Sequence, residues 1–268
     1  MVKKKEIKSE FCSFCDNTGV IHDSHFNEMG EAPLSPCPRC VEPKCVCSGE
    51  EPYYYFKGEE IEVCFCRQVR MKINRINNIY KRSGIDKKYR WKFFSDFEVK
   101  NEMASKAKKA AYDIVIKFPH INKGLYLWGP PGTGKTLLSS IVLTELIIRH
   151  ATEGRFMSIS RDYFGKLKST FNVGSSRYGE AINIEQEYSD VDILVIDDFG
   201  VSRDTEWEQE TLYNLVDSRY ESEKFTIFTS NNNPLQSIKE ISGGRILSRI
   251  KEMCRIINLG GEDFRDKL

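Results

Sequence analysis

The chain has 268 residues, of which 40% are apolar and 29% charged, an ordinary make-up for a globular protein of one large domain or two smaller ones. Lys plus Arg number 40 and Asp plus Glu 39, a formal net charge of +1, which excludes a chain that coats DNA by bulk positive charge and equally an acidic disordered tail. Cysteine is the unusual component: there are nine, eight of them within the first 66 residues and the ninth at Cys254.

No stretch approaches the roughly 18 consecutive apolar residues of a membrane span. The opening MVKKKEIKSEFC carries positive charge with no apolar run behind it, so no secretory signal is expected. These readings imply no membrane partner and a cytoplasmic location. In a reducing compartment, clustered cysteines read as metal ligands rather than disulfides.

Residues 1–66 combine the eight cysteines with many turn formers and little apolar periodicity. A domain this short buries too little surface to hold itself together, and metal is the usual supplement. The pairs are Cys12/Cys15, Cys37/Cys40, Cys45/Cys47 and Cys64/Cys66. A CxxC turn brings two thiolates to one side, and eight ligands suffice for two four-cysteine zinc sites, so two zinc ions are expected. A sequential scheme joins 12/15 with 37/40 and 45/47 with 64/66. A nested scheme joins 12/15 with 64/66 around an inner site. His22 and His25 read as loop residues.

Residues 67–92 hold ten Lys/Arg and one acid, Asp86, a local net of +9. Val69, Ile73, Ile76 and Tyr80 recur at helical spacing, which predicts an amphipathic helix ending near Gly84. The segment reads as a basic linker. From residue 93 to 268 short apolar strands alternate with helices: 124–128, about 155–159, 191–196, 225–230 and 255–259 as strands, with a helix over 135–150. Such alternation predicts an α/β fold with a mostly parallel sheet flanked by helices. Cys254, just before the last strand, reads as a buried hydrophobe.

Gly129-Pro130-Pro131-Gly132-Thr133-Gly134-Lys135-Thr136 fits GxxxxGK[ST] between a strand and a helix, the context this phosphate loop requires. Its glycines let backbone amides turn in around phosphates, and the helix N-terminus adds positive potential. Lys135 supplies a cation to the terminal phosphates of ATP, Thr136 is a magnesium ligand, and Leu137 completes the nucleotide-binding stretch. VDILVIDD at 191–198 ends a buried strand in two carboxylates at the edge where such sheets bind ligands. Asp197 is expected to hold magnesium and Asp198 to polarise the attacking water. FTIFTSNNNP at 225–234 is a strand ending in polar residues, from which Asn231 is a candidate to orient that water. Arg245 and Arg249 lie four apart on one helix face. In a nucleotide-driven oligomer such an arginine stabilises charge at a neighbour's phosphate.

Residues 85–268 resemble the AAA+ ATPases of the DnaC/DnaI-type replicative helicase loaders and their IstB relatives. The resemblance is carried by SGIDKKYRWKFFSDF at 83–97, GLYLWGPPGTGKT at 124–136, VDILVIDDFG at 191–200, TEWEQETLYNLVDSRY at 205–220, TSN at 229–231, GGRILSRI at 243–250 and GEDFR at 261–265. It implies an AAA+ P-loop NTPase preceded by a small cysteine-rich zinc domain, with boundaries at 1–66, 67–92 and 93–268. It makes Asn231 the first sensor, Arg249 the arginine finger with Arg245 beside it, and Arg265 a second sensor, without the small C-terminal helical lid of many AAA+ proteins. Asp198 stands where many of these ATPases have Glu; one methylene shorter, it implies slow hydrolysis stimulated by assembly or DNA. The implied partners are a replicative DNA helicase, single-stranded DNA and further copies of this chain. The linker cations, Lys166, Lys168 and Arg177 are candidate phosphate contacts, and Tyr163 and Phe171 candidate stacking residues. CSFCDNTG at 12–19 and CFCRQVR at 64–70 resemble the zinc module of loader relatives, which favours the nested pairing. An IstB-like transposition helper, binding a transposase and duplex DNA, is the alternative. A zinc-dependent adaptor with a vestigial ATPase is opposed by the intact Lys135, Thr136 and Asp197.

Overall fold

The computed structural model describes residues 11–22, 34–121, 123–172, 174, 176, 178–200, 205–234 and 244–261. His25, Arg177 and Arg265 lie outside them. The chain divides into two compact units, residues 1–78 and 79–268, so the division falls within the basic helix rather than on either side of a separate linker. Among the described residues no helix is long and apolar enough to cross a membrane.

The first unit contains two antiparallel hairpins. β1 (Val20–His22) pairs with β2 (Leu34–Pro36), and β3 (Tyr54–Lys57) with β4 (Glu60–Val63). Isolated two-stranded hairpins are marginal in water, and among the described residues this unit has no large apolar core to compensate. Its buried cluster is Cys15, Cys37, Val41, Tyr53, Cys64 and Cys66, with the remaining four clustered cysteines packed against it. The helix α1 (Cys66–Arg82) follows and ends two residues before Gly84. Its buried residues are Cys66, Ile73, Ile76, Ile79 and Tyr80; of the predicted stripe Ile73, Ile76 and Tyr80 are buried and Val69 half-buried, and Ile79 joins them.

The second unit is a five-stranded parallel sheet. Its strands are β5 (Gly124–Trp128), β6 (Gly154–Ser158), β7 (Ile193–Asp197), β8 (Phe225–Ser230) and β9 (Cys254–Asn258), in the order β6-β7-β8-β5-β9. Helices α2 (Glu102–Lys117) and α3 (Lys135–His150) contact the sheet, while α4 (Gly165–Thr170), α5 (Ala181–Asp190), α6 (Glu206–Glu221) and α7 (Arg245–Met253) pack with one another. A strand covered on both faces has no polar side, which is why ILVI in β7 and the Leu125–Leu127 run of β5 are continuously apolar and buried. Tyr126, Leu194, Ile196, Phe228 and Cys254 belong to one core cluster with residues of α4 to α7. Cys254 is buried there, as its sequence context suggests.

Two crossovers are the topological point that matters for the site. The chain leaves β5, forms β6 and β7 three and two places away, and returns to lay β8 between β7 and β5. The C-terminal ends of β5, β8 and β7 therefore lie side by side.

Arg219, near the end of α6, is 0% exposed. It donates to the carbonyls of Tyr188, Ser189 and Val191 at the end of α5, to Phe225 O, and to Thr226 Oγ1 at the start of β8. Burial pulls its pKa down to about 9, still charged at neutral pH. One cation thus satisfies the carbonyls left over at a helix C-terminus and ties it to the sheet. Arg219→Met should cost about 3 kcal/mol or more, because buried acceptors lose their donor. Urea unfolding of the full chain checks this, and a loss under about 1 kcal/mol would refute the assignment.

Candidate nucleotide and metal sites

The phosphate loop joins β5 to α3. Gly134 is the N-cap of α3 at φ 92, and Lys135 and Thr136 form the first turn. A Cβ on Gly134 would stand 3.1 Å from Cε2 of Phe97, so a buried aromatic ring seals the loop from behind. Lys108 Nζ donates to Phe97 O at 2.9 Å and holds that segment. Phe97 lies within the 83–97 motif, but its place under the loop has no signal in sequence spacing. Lys135 Nζ donates to Gly129 O at 2.8 Å and Pro130 O at 2.7 Å, and the ammonium is thereby kept within the loop.

Asp197, the last residue of β7, meets α3 and β8. Thr136 Oγ1 donates to its Oδ1 at 3.0 Å, 61 residues away in sequence. Thr229 Oγ1 donates to the same Oδ1 and accepts the Asp198 N–H at 3.1 Å. Phe199 N donates to Thr229 O at 2.7 Å. Thr229 is the residue that sequence reading passes over: it was visible only as part of TSN, two positions before Asn231. Burial raises the Asp197 carboxyl to about 6, and neighbouring Asp198 adds to the rise against the Thr229 and Thr136 hydroxyls and Lys135. A buried carboxylate beside a threonine hydroxyl and a phosphate loop is the donor set that suits a magnesium–nucleotide complex.

Asp198 lies one residue beyond β7, exposed, in the left-handed region at φ 57. Non-glycine residues in that region are uncommon and gather at functional sites. Asn231 follows the end of β8 and is half-buried, at the edge between the phosphate loop and Asp197. Arg249 makes an ion pair with Asp217, donates to Tyr213 Oη at 3.0 Å, and lies 5.0 Å and 5.5 Å from the ring centres of Tyr213 and Tyr220. Arg245 is exposed, 4.8 Å over the Tyr213 ring. Asp217, Tyr213 and Tyr220, the groups just named, all lie on α6.

Of the candidate nucleic-acid residues, Tyr163 is buried and packs edge-on against Tyr188, which makes it core rather than a stacking platform. Lys166 donates to Tyr188 Oη at 2.8 Å and Lys168 is paired with buried Glu208 at 2.6 Å. Phe171 is exposed.

The eight N-terminal cysteines form two groups, Cys12/Cys15/Cys37/Cys40 and Cys45/Cys47/Cys64/Cys66, with the sulfurs of each group within 4.8 Å of one another. The nested pairing is therefore wrong and the sequential one correct. The reason is local: the β1–β2 register sets Val20 against Pro36, bringing the flanking Cys15 and Cys37 segments together, and Tyr54 against Val63 does the same for Cys47 and Cys64. Sulfur separations of 3.9 Å (Cys12–Cys37), 3.6 Å (Cys15–Cys40), 3.9 Å (Cys45–Cys47) and 3.4 Å (Cys47–Cys66) are too long for disulfides. They suit a tetrahedron of ~2.3 Å metal–sulfur bonds, whose edges are about 3.8 Å. Burial raises Cys15, Cys40, Cys47 and Cys66, but at Cys12 and Cys64 amide donors win: those of Phe14 and Cys15 bring Cys12 to about 7, and those of Val46 and Cys66 bring Cys64 to about 6. Cys12 and Cys64 are thus poised to become thiolate ligands. Neither group includes His22, and no other cluster of this kind occurs among the described residues.

The family model of the IstB-like ATP binding protein matches residues 68–268. The chain belongs to this family of ATP-binding proteins. The replicative helicase loader DnaC of Escherichia coli K12 is 27% identical over 179 residues, covering 66% of this chain and 70% of that protein. The crystal structure of the DnaC helicase loader superposes with a TM-score of 0.55 at 26% identity, covering 65% of this chain and 99% of that one. That of DnaI gives 0.56 at 22% identity over 65% of this chain and 93% of that one, a likeness of fold. The AAA+ architecture read from the motifs is the one observed. The family match begins at Gln68, so the cysteine groups lie outside it.

A carboxyl raised from 3.8 to about 6 stabilises the folded state below pH ~3.8 and loses that contribution as pH rises through about 6. Asp197→Asn, without nucleotide or Mg²⁺, should therefore be more stable than the parent at pH 7 by roughly 3 kcal/mol at most, and no more stable at pH 4. Urea midpoints across this range check it; a difference that does not change with pH would refute the assignment.

Proposed function

We propose that the protein is an ATP-dependent loader that places a replicative DNA helicase on single-stranded DNA during initiation of replication. The observation that carries this reading is the alignment with DnaC over most of both chains, together with the Thr136–Asp197–Thr229 junction beside the phosphate loop. Bound ATP and Mg²⁺ would supply the switch between an assembled and a released form. Lys135 and the loop Gly129 to Thr136, with Leu137 behind, bind the phosphates; Thr136 and Asp197 hold the metal. Asp198 and Asn231 orient water, and the short Asp198 side chain makes turnover slow. The cysteine unit holds two zinc ions and grips the helicase, and the protein acts in the cytoplasm as an ATP-dependent oligomer.

Arg249 is assigned as the residue that reaches a neighbouring subunit's phosphate. Arg249→Ala should leave ATP affinity unchanged and lower hydrolysis in the assembled state by about 10³-fold. Unchanged turnover with DNA and helicase present would move the role to Arg245 or remove it.

The IstB description of the family keeps the transposition helper as the competing reading. Affinity capture separates them. The full chain with ATP should retain the cognate replicative helicase, and residues 11–78 removed should abolish retention while ATP binding persists. Retention of a transposase and duplex DNA instead of helicase would overturn the loader reading.

A further inference from the structure

The second cysteine group has a cation built against it. Arg70 lies four residues beyond Cys66 on α1, and helical side chains lean toward the N-terminus, so it reaches back over that turn. The Cys66 and Cys45 sulfurs both favour its charged form, Cys66 the more strongly, which sets the guanidinium beside this group, while its buried Nε has no hydrogen-bond partner among the described residues. Its centre lies 6.0 Å from the Tyr53 ring. A Cβ on Gly49, at φ +77, would stand 2.5 Å from its Nη2 and 2.9 Å from its Cζ. The guanidinium therefore fills the space that the missing side chain at position 49 leaves. Gly49 has a second role here, since its amide opposes the rise that burial gives the Cys47 thiol. Backbone amides offset the effect of burial in both groups, those of Phe14 and Cys15 at Cys12, Gly19 at Cys15, and Val46 and Cys66 at Cys64; the α1 cation that acts on the first group is Lys72, through Cys15.

Charge supplies the physical reason. Four thiolates around one Zn²⁺ leave two uncompensated negative charges, and Cys64 and Cys66 are 2% and 0% exposed. A planar guanidinium can bridge two sulfurs at once and remains charged, which an ammonium cannot match in geometry. Partners just outside the ligand sphere typically change metal affinity by about 10–100-fold.

We infer that Arg70 is the outer-sphere positioning residue of a zinc ion held by Cys45, Cys47, Cys64 and Cys66, and that Gly49 is required to admit it. The inference rests on the two-zinc reading above. It makes the two sites separable: the second depends on Arg70, whereas the α1 cation that acts on the first is Lys72, through Cys15.

The test uses the zinc-loaded full chain, titrated with a chelator of known affinity, with thiol alkylation and peptide mass spectrometry to identify which cysteines are freed with each ion. The parent should release two zinc ions. Arg70→Ala should release one of them at about 10–100-fold lower chelator concentration, exposing Cys45, Cys47, Cys64 and Cys66, with the other unchanged. Arg70→Lys should recover only part of the loss, and Gly49→Ala should reproduce it with Arg70 present. Two zinc ions whose affinities are unchanged in Arg70→Ala, or weakened equally, would overturn the role of Arg70 and leave the zinc reading standing. A parent chain that takes up no zinc would overturn both.

Discussion

The ATPase unit depends on a carboxylate kept out of water. Asp197 ends the buried strand β7, and among the described residues its oxygens have only the hydroxyls of Thr136 and Thr229 as hydrogen-bond donors. Hydroxyls cannot neutralise a charge, so burial leaves the group reluctant to ionise. A divalent cation would remove that penalty, so the desolvation that costs the free protein stability favours the metal proposed there. Loop, helix and three strand ends converge on this point. Placing β8 between β5 and β7 is what lets Thr229 touch Asp197 and the backbone of Asp198 together.

Buried charge is handled in two other ways in the same molecule. Arg219 has no carboxylate against it and is satisfied by four carbonyls and a hydroxyl, which turns a helix end into a fastening for the sheet. The clustered thiols are approached by backbone amides and, in the second group, by a guanidinium. The first unit has almost no apolar interior apart from those sulfurs and a few residues around them. The proposed zinc ions would supply the stability this small core lacks, whereas the second unit stands on a conventional core.

Much of the second unit was legible because its signals are contiguous. Fully apolar strands, a helix over Lys135–His150 and the GPPGTGKT loop each lie within a few residues, and all five strands fall within a residue or two of the expected bounds. The readings that failed concern partners distant in sequence. The nested zinc pairing rested on a likeness between the outer cysteine motifs, while the hairpin registers bring neighbours together instead. Tyr163 reads as a stacking residue in a polar stretch and is core, because α4 and α5 fold over it.

Residue order alone determined the chemistry that is present: a phosphate loop after a strand, two acids at the end of another, eight thiols in four pairs, and a basic amphipathic helix. Those patterns have short periods, so one-dimensional spacing is enough to place them. Tertiary structure decided which of those groups meet. Strand order put Thr229 beside Asp197, hairpin register divided the thiols into two fours, α1 carried Arg70 back to the second of them, and α6 gathered Asp217, Tyr213 and Tyr220 around Arg249. Each such contact joins side chains whose nearness is set by packing and hydrogen-bond register, and neither is written in the distance between them along the chain.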